Sequence, residues 1–277
     1  MKNRIPMRWT VTYSGLALFY IWLLTPIIWL ILSSFRSSDS IQSGRLLPAL
    51  SELTFQNYIE TFQISNFVTY LVNSFTIACS VTVLTVFFGS LGAYALSRIT
   101  MKGKRLFIMA ALLPQFFPYV LVLIPFYILM TNLGLVNTHI GLILTHTSLT
   151  LPFGLWMLTG YFNGIPKELD QAALIDGCSR LGVLFRILYP VAVPGLVVAG
   201  FFAFVVSWGD YLFVSILSQS TATQTLPIGL QTFMSSLEVR WGLITSGTVL
   251  AIVPTVIFFS IVQRRLVSGL TAGAVKS

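Results

Sequence analysis

The chain has 277 residues, of which 56% are hydrophobic and only 9% are charged, and its formal net charge is +8. Soluble domains carry roughly a quarter charged residues, so this composition excludes an ordinary soluble fold and requires lipid around much of the surface. The positive charge does not indicate a nucleic-acid partner, because cytoplasmic loops of membrane proteins collect Lys and Arg and no basic run alternates with aromatic residues. We therefore predict an all-α, polytopic membrane protein in contact with lipid.

Six apolar stretches follow one another, and each is long enough to cross a bilayer, which needs about 20 helical residues. They fall near 13–35, 67–96, 106–130, 139–162, 190–217 and 242–263. The first is too long for the apolar core of a signal peptide, so we expect it to be retained. The predicted six-span domain covers 13–263, between a cytoplasmic N-terminus at 1–12 and a cytoplasmic tail at 264–277.

The basic residues predict the orientation of these spans. With the N-terminus inside, 13 of the 16 Lys and Arg residues fall on the cytoplasmic side, and only Arg36, Arg45 and Arg240 fall outside. Positive residues concentrate on the inner side of membrane proteins. The sequence thus predicts a multi-pass membrane protein with both termini in the cytoplasm.

Prolines and histidines mark particular spans. Pro114, Pro118 and Pro125 predict bends in the third span, either as simple packing kinks or along a transport pathway. His139 and His146 lie in or beside an apolar segment, where we interpret them as helix-end or helix-packing residues. No cluster of Cys and His residues indicates a metal site.

The longest cytoplasmic loop, 163–189, is the most patterned part of the chain. Pro166 is placed to be a first helical residue, and Glu168 and Asp170 follow in the first turn, where the helix dipole favours acids. Gly177 predicts a left-handed stop. Ser179 can then cap a second helix, which makes the loop a helix, a glycine corner and a helix, with Pro190 as the next boundary.

The helices of this loop have apolar faces. Leu169, Ala172 and Ala173 are predicted to share a face of the first helix, and a helical stripe on the second comprises Leu181, Leu184, Phe185 and Leu188. One interpretation is a small-residue knob that docks in a groove of another protein. The other is a hairpin lying on lipid headgroups, which the acidic first turn disfavours because the inner leaflet is anionic.

The loop also resembles the cytoplasmic signature of permease subunits of bacterial ABC importers, whose usual form is Glu-Ala-Ala, three residues and Gly, followed by a hydrophobic residue and Pro. The matching positions are Gln171, Ala172, Ala173, Asp176, Gly177, Phe185 and Pro190. Four further segments resemble the carbohydrate-importing branch, and in particular its maltose-type six-span subunit. They are Asn73-Ser74, 207–211, 225–230 and 269–276.

This resemblance implies a set of partners and contacts. The permease would pair with a second permease subunit, a dimer of ATPase subunits that hold ATP and Mg, and an extracytoplasmic solute-binding protein that delivers a sugar. No cofactor is expected in this chain, which would be a transporter subunit and not an enzyme. The loop residues above would dock on the ATPase. The tail contacts to the ATPase would be Leu270, Thr271, Ala272, Gly273 and Lys276. The contacts to the binding protein would be Thr225, Leu226, Pro227 and Gly229.

Two positions depart from the family pattern. Gln171 replaces the leading Glu, so it cannot form a salt bridge to the ATPase, and a charge-assisted hydrogen bond would be roughly twice as strong as a neutral one. We therefore expect weaker coupling, or coupling through Glu168 or Asp170. In the fifth span, Gly209-Asp210 stands where Asn-Glu is common.

Four polar or aromatic residues are candidates for the substrate pathway: Asn73, Trp208, Asp210 and Tyr211. Asp210 is the sole acid within an apolar run, so it should face a cavity or a partner. It would either contact sugar or binding protein, or pair with Arg240 or with a residue of the companion subunit. Trp208 and Tyr211 would stack on sugar or, as we favour, form an interfacial belt, while Asn73 would bind a hydroxyl or hold helices together.

The predicted function is the permease subunit of an ATP-driven, binding-protein-dependent carbohydrate importer, with an oligosaccharide or glucoside as substrate. Gly103-Lys104 is followed by Arg105, so it does not form a P-loop, and energy must come from another chain. The alternative is a secondary transporter or channel without an ATPase, which would require ionisable residues in several spans. An intramembrane enzyme is disfavoured because no catalytic motif of that kind is present.

Overall fold

The computed structural model describes residues 7–45, 48–64, 66–234 and 239–274. Within these ranges the chain is helical, and its sole extended pairings are two isolated bridges. The α-helices are α1 (Met7–Ser34), α2 (Ser38–Gln42), α3 (Gln56–Gln63), α4 (Phe67–Arg98), α5 (Lys104–Leu112), α6 (Tyr119–Asn132), α7 (His139–Asn163), α8 (Glu168–Ile175), α9 (Arg180–Gly182), α10 (Tyr189–Trp208), α11 (Leu212–Leu217), α12 (Leu226–Gln231) and α13 (Trp241–Ala274).

The long apolar helices agree with the predicted spans. In the described ranges, five helical segments are long and apolar enough to cross a membrane, and a sixth span is formed if Lys104–Phe116 and Tyr119–Asn132 count as one. These two pieces meet at an angle of 99°. The break follows from the prolines, because Pro118 disfavours helical backbone at Phe117, which is extended with ψ 141°. The predicted bend in the third span is confirmed.

Helices α4 to α12 belong almost entirely to one of two compact units, which comprises the described residues of Val68–Gly229 and Pro254–Ser277. Its first core cluster packs the ends of α4, α7 and α10 around the cytoplasmic loop. The buried side chains of this cluster include Ala93, Leu158, Phe162, Ala173, Leu184, Leu188 and Ala199. A second cluster includes Ile77, Val81, Leu142, Phe213 and Leu217. These two clusters fix the elements that carry the candidate sites.

The other unit comprises the described residues of Met1–Phe67 and Leu230–Val253. Arg36 is almost fully buried there; its guanidinium donates to the Ser40 backbone and hydroxyl oxygens and to the Arg45 carbonyl. The Ser40 hydroxyl in turn donates to Glu52 and holds the pKa of that carboxyl below its ordinary value. The side chains of residues 11–29 in α1 are exposed in this chain, which fits a helix surrounded by lipid or by another subunit.

The fifth span differs from its prediction at both ends. Arg180–Trp208 runs as one helical segment, so Pro190 marks the change from the π-helical stretch to α10 and not the end of a helix. A π-helical stretch, Val183–Leu188, precedes this proline. Proline has no N–H to donate to the preceding turn, and the π-helical stretch changes the pairing of the backbone hydrogen bonds at this point. The wider turn also changes the register, so Leu181 and Phe185 are exposed while Val183, Leu184 and Leu188 are buried. The predicted stripe is therefore correct only for Leu184 and Leu188.

The last helix continues past the predicted start of the tail. α13 extends to Ala274 and includes Pro254, so the backbone of Leu270, Thr271, Ala272 and Gly273 is helical. Lys276 lies outside the described residues. The predicted tail is thus, as far as Ala274, a helical extension of the sixth span.

Candidate functional site

The glycine corner of the cytoplasmic loop has the predicted geometry. Gly177 has φ +85°, and the Cys178 N–H donates to the Ala173 carbonyl at 2.9 Å while the Gly177 N–H donates to Leu174 at 3.1 Å. This is the Schellman arrangement that ends helices at a left-handed residue. Beyond it, the Ser179 hydroxyl accepts from the Gly182 N–H at 3.1 Å, as predicted for a helix cap.

The start of the corner differs slightly from the prediction. α8 begins at Glu168, with Lys167 as its N-cap residue, so Pro166 precedes the helix and is not its first residue. Glu168 and Asp170 do lie in the first turn. The helix therefore starts two residues, about half a turn, later than the sequence pattern indicates, but its acids keep their favourable place at the N-terminus.

A buried ion pair joins the corner to the end of α4. Arg98 Nε lies 2.6 Å from Asp170 Oδ2, and Arg98 Nη2 lies 3.2 Å from Asp170 Oδ1. Both side chains are less than a tenth exposed. The same guanidinium donates to the carbonyls of Phe162 and Ile165, so one side chain connects α4, the end of α7 and α8.

Sequence reasoning did not find this pair. Arg98 was interpreted only as one cytoplasmic charge among many, and Asp170 only as a helix-dipole acid and as a coupling residue in place of Gln171. The available signal was that a charge at the end of an apolar span must be paired if it is buried. The pair also corrects one expectation: Asp170 cannot replace Gln171 as a docking acid, because both of its oxygens are bonded to Arg98. Glu168 is exposed and stays available.

The two faces of α8 have opposite environments. Ala173 is 6% exposed and packs in the core beside Asp170, whereas Leu169 and Ala172 are exposed, so the predicted shared face is wrong for Ala173. Ile175 is 86% exposed. The open side of the corner consists of Leu169, Gln171, Ala172, Leu174, Ile175 and Asp176. Ile175 was not among the docking residues predicted from the sequence.

The remaining predicted docking residues lie beyond the corner. Phe185 is 39% exposed, and its ring packs on Tyr189 with 4.9 Å between centroids and on Phe87 with 6.4 Å. Pro190 is exposed within the continuous helix. Neither residue belongs to the open side of α8, so the structure does not bring the complete predicted set together.

Asp210 lies at a helix break and not inside a span. α10 ends at Trp208, α11 starts at Leu212, and Asp210 Oδ2 accepts from the N–H groups of Phe213 and Val214 at 3.1 and 3.2 Å. The carboxylate thus caps α11. The predicted apolar run over 190–217 is interrupted here because Gly209 and Asp210 favour a helix end.

A buried histidine connects this break to α7. His146 is 1% exposed; its Nε2 lies 3.2 Å from Asp210 Oδ2, and its Nδ1 lies 2.8 Å from the Ser207 hydroxyl. The structural alternative for Asp210 thus holds, but with His146 as partner. Arg240, proposed from the sequence, contacts Glu60 instead. The helix-packing interpretation of His146 is confirmed.

The other candidate pathway residues are mostly engaged in packing. Asn73 donates to the carbonyls of Ala222 and Gln224 and lies 3.0 Å from His139 Nε2, which supports its role in holding segments together. Trp208 is 7% exposed and stacks on Phe204, so the interfacial-belt interpretation is wrong for it. Tyr211 is 38% exposed.

The predicted binding-protein contacts are largely inside the chain. Thr225 and Leu226 are buried, the Leu226 N–H donates to the Ser74 hydroxyl at 2.7 Å, and Gly229 is packed against the Tyr70 ring. Pro227 is partly exposed. These residues therefore form a packed segment in which Thr225, Leu226 and Gly229 are buried, and their contact with a binding protein stays a prediction. Gln219, Thr221 and Ala222 are the exposed positions nearby.

The chain is similar to known transporter subunits over most of its length. It matches the family described as the inner membrane component of binding-protein-dependent transport systems over residues 85–271. It is 38% identical to the inner membrane ABC transporter permease protein YcjP of Escherichia coli, covering 95% of both chains. It is 36% identical to the sulfoquinovosyl glycerol transport system permease protein SmoH of Agrobacterium fabrum, covering 91% of this chain and 89% of that one.

The fold is also that of a solved transporter. A crystal structure of a bacterial ABC transporter involved in the import of the acidic polysaccharide alginate matches with a TM-score of 0.81 at 24% identity, over 93% of this chain and 96% of that chain. The chain belongs to the family of inner membrane components of binding-protein-dependent transport systems. It is a multi-pass ABC permease subunit, which confirms the predicted family and removes the support for a transporter acting without an ATPase.

Proposed function

We propose that this permease subunit imports a sugar, an oligosaccharide or a glucoside, together with a second permease subunit, an ATPase dimer and an extracytoplasmic binding protein. The carbohydrate-type segments of the sequence support this substrate class. So does the relative whose name specifies sulfoquinovosyl glycerol, a glycoside. The observation that carries the coupling mechanism is the two-sided corner, which has one face anchored in the chain and the other face open.

The open face of α8 is suited to a groove on the ATPase. Ile175 projects at the last helical position, and Ala172 leaves room for close approach. An exposed isoleucine beside a small residue on a short helix is the pattern of a helix that docks by its apolar side. Gln171 lies on the same open face and would add a neutral hydrogen bond in place of the ionic one that a Glu would form.

The buried face explains how docking would move the membrane helices. The Arg98–Asp170 pair and the packed Ala173 leave α8 no independent freedom relative to α4 and the end of α7. A displacement imposed on α8 by the ATPase would therefore displace these spans. In this proposal, ATP-driven approach of the two ATPase subunits is transmitted through the corner and opens the pathway outward.

The orientation follows from the charges, with the corner and both termini in the cytoplasm. The helical extension of α13 over Leu270–Gly273 would then approach the ATPase from the same side. On the outer side, the exposed positions Gln219, Thr221 and Ala222 replace the buried segment as contacts for the binding protein. Tyr211, the most exposed of the four pathway candidates, remains the best candidate for stacking on sugar.

The test is transport by the complex that is isolated through this chain. The complex is placed in vesicles with ATP and the binding protein, and uptake of a panel of glucosides, oligosaccharides and other solutes is measured. Uptake of one sugar class that requires ATP and the binding protein is the expected result. Uptake without ATP, or strict selectivity for a solute that is not a sugar, would contradict the proposal.

A further inference from the structure

A groove of about 940 Å³ lies between the start of α5 and the end of α7. Its walls are apolar: Ile108, Met109 and Leu112 come from α5, and Trp156 and Met157 come from α7. Trp156 is 47% exposed and Met109 is 58% exposed. A groove with such walls, on the side of two apolar helices, suits hydrocarbon chains.

One end of this groove is strongly positive. Lys104 and Arg105 line the groove itself, and an adjoining pocket of about 510 Å³ that also includes Lys104 adds Lys102 and Lys167. Within the part of the chain that the structure describes, the ion pairs of basic side chains involve Arg45, Arg98, Arg240 and His146. None of these pairs includes Lys102, Lys104, Arg105 or Lys167, so the four cations of the groove and the adjoining pocket have no acidic partner among the described residues.

The helix itself adds to the positive field at this point. Lys104 and Arg105 occupy the first turn of α5, which has no acidic residue and whose N-cap, Gly103, supplies no side-chain cap. Cations at a helix N-terminus are unfavourable, because they meet the positive end of the helix dipole. An anion bound among these cations would relieve that repulsion. The site itself is defined by the apolar groove and its unpaired cations and not by the helix end.

We propose that this groove binds an anionic phospholipid. The phosphate lies among Lys104, Arg105 and Lys102, and an acyl chain lies along Met109 and Trp156. Only an amphipathic anion satisfies both halves of the site, since a neutral lipid leaves the cations unpaired and an acidic protein surface leaves the apolar wall uncovered. With the corner in the cytoplasm, the lipid belongs to the inner leaflet, where anionic lipids are attracted to basic segments next to membrane helices.

The general excess of basic residues on the cytoplasmic side does not account for the groove. Arg186 is also exposed on that side, but it does not line the groove or the adjoining pocket. It therefore serves as a matched control, because Arg186→Gln removes the same charge from the same side of the membrane.

The test uses the whole complex, reconstituted in phosphatidylcholine nanodiscs with increasing fractions of phosphatidylglycerol whose acyl chains carry bromine. Bromine quenches nearby tryptophan, and the difference between the wild type and Trp156→Phe isolates the signal of Trp156. Half-maximal quenching is expected at a lower fraction of brominated phosphatidylglycerol than of brominated phosphatidylcholine. Lys104→Gln and Arg105→Gln should each raise that fraction roughly fivefold, the effect of one cation near an anionic surface, while Arg186→Gln should leave it unchanged.

Four results would overturn the proposal. Equal quenching by both lipids would mean that the groove does not select an anionic lipid. If Arg186→Gln raised the lipid fraction at half-maximal quenching as much as Lys104→Gln does, the groove cations would act only in setting the membrane topology. If dissolved glycerol phosphate reduced the quenching of Trp156 by brominated phosphatidylglycerol, the groove would be assigned to a free phosphate. A preference for the anionic lipid that appears only after the ATPase subunits are removed would assign the cations to an acidic ATPase surface. Each variant is first shown to co-purify with the ATPase, so that a failure of assembly is not read as a loss of lipid binding.

Discussion

Asp170 and Asp210 are both partly or fully buried acids that join two helices, but their partners differ in kind. Asp170 binds the guanidinium of Arg98 through both oxygens, whereas Asp210 accepts from two backbone N–H groups and contacts a histidine. Arginine is always charged, so Asp170 is required as a negative charge. A neutral imidazole can still donate a hydrogen bond, so Asp210 is required chiefly as an acceptor. The cytoplasmic corner thus depends on charge and the helix break depends on hydrogen bonding.

The largest expected effect is that of Asp170→Asn. This change leaves the buried Arg98 without a counter-charge, and breaking a buried pair in this way costs about 3–5 kcal/mol. The heat stability of the complex is measured as the fraction that stays assembled after heating. We expect both this fraction and ATP-driven uptake to fall strongly. The control is the double change Asp170→Leu with Arg98→Met, which leaves no uncompensated buried charge. It also removes the Arg98 hydrogen bonds to the Phe162 and Ile165 carbonyls, so it should be less stable than the wild type but more stable than the single change. If the single change were as stable as the double one, the corner would not depend on charge.

The corresponding change at the break should be mild. Asp210→Asn keeps an acceptor for the N–H groups of Phe213 and Val214, so we expect a loss below about 1 kcal/mol, in the range of a neutral hydrogen bond. Asp210→Ala removes the cap and leaves His146 Nε2 unpaired, which should cost about 2 kcal/mol. Both variants are compared in the same heating assay. An Asp210→Asn variant as unstable as Asp170→Asn would remove the distinction between the two sites.

At the corner, the backbone conformation is a second requirement. Gly177 has φ +85°, and a Cβ there would meet no atom of this chain within 4 Å, so within the chain a substitution adds backbone strain and no Cβ clash. Gly177→Val should cost about 1–2 kcal/mol and uncouple ATP hydrolysis from uptake while membrane insertion is kept. Gly177→Asn is the control, because Asn tolerates the left-handed region. Normal ATP-driven uptake by Gly177→Val would show that the shape of the corner is not needed for docking.

The smallest effect is expected for Ser207→Ala. The Ser207 hydroxyl contacts His146 Nδ1 at 2.8 Å, and losing one such hydrogen bond costs about 1 kcal/mol. Uptake should be retained, with a slightly lower temperature at which the complex dissociates. A loss as large as that of Asp210→Ala would mean that the histidine, and not the cap on α11, holds the break together.

The features that local chemistry determines were predictable from the sequence. Apolar length indicated the spans, prolines indicated the break near Phe117, and a glycine at the end of a short helix indicated the left-handed residue at 177. Each of these depends on a few neighbouring residues. The Schellman bonds and the Ser179 cap are local for the same reason.

The features that depend on distant residues were not predictable. Arg98 and Asp170 are 72 positions apart, and His146 and Asp210 are 64 apart, so their pairing requires the packed fold. The π-helical stretch changed which side chains of the fifth span are buried, and a regular helical period cannot anticipate that. The segment around Leu226 resembled an exposed contact but is covered, because Ser74 satisfies its backbone.

The uninterrupted helix Arg180–Trp208 has a mechanical consequence. Its 29 residues correspond to a rod of roughly 40 Å at the usual rise per residue, which begins just after Gly177 and ends just before Asp210. If the corner docks on the ATPase as proposed, a displacement at the inner end would be carried along this segment to the capped break, where the outer segment changes direction.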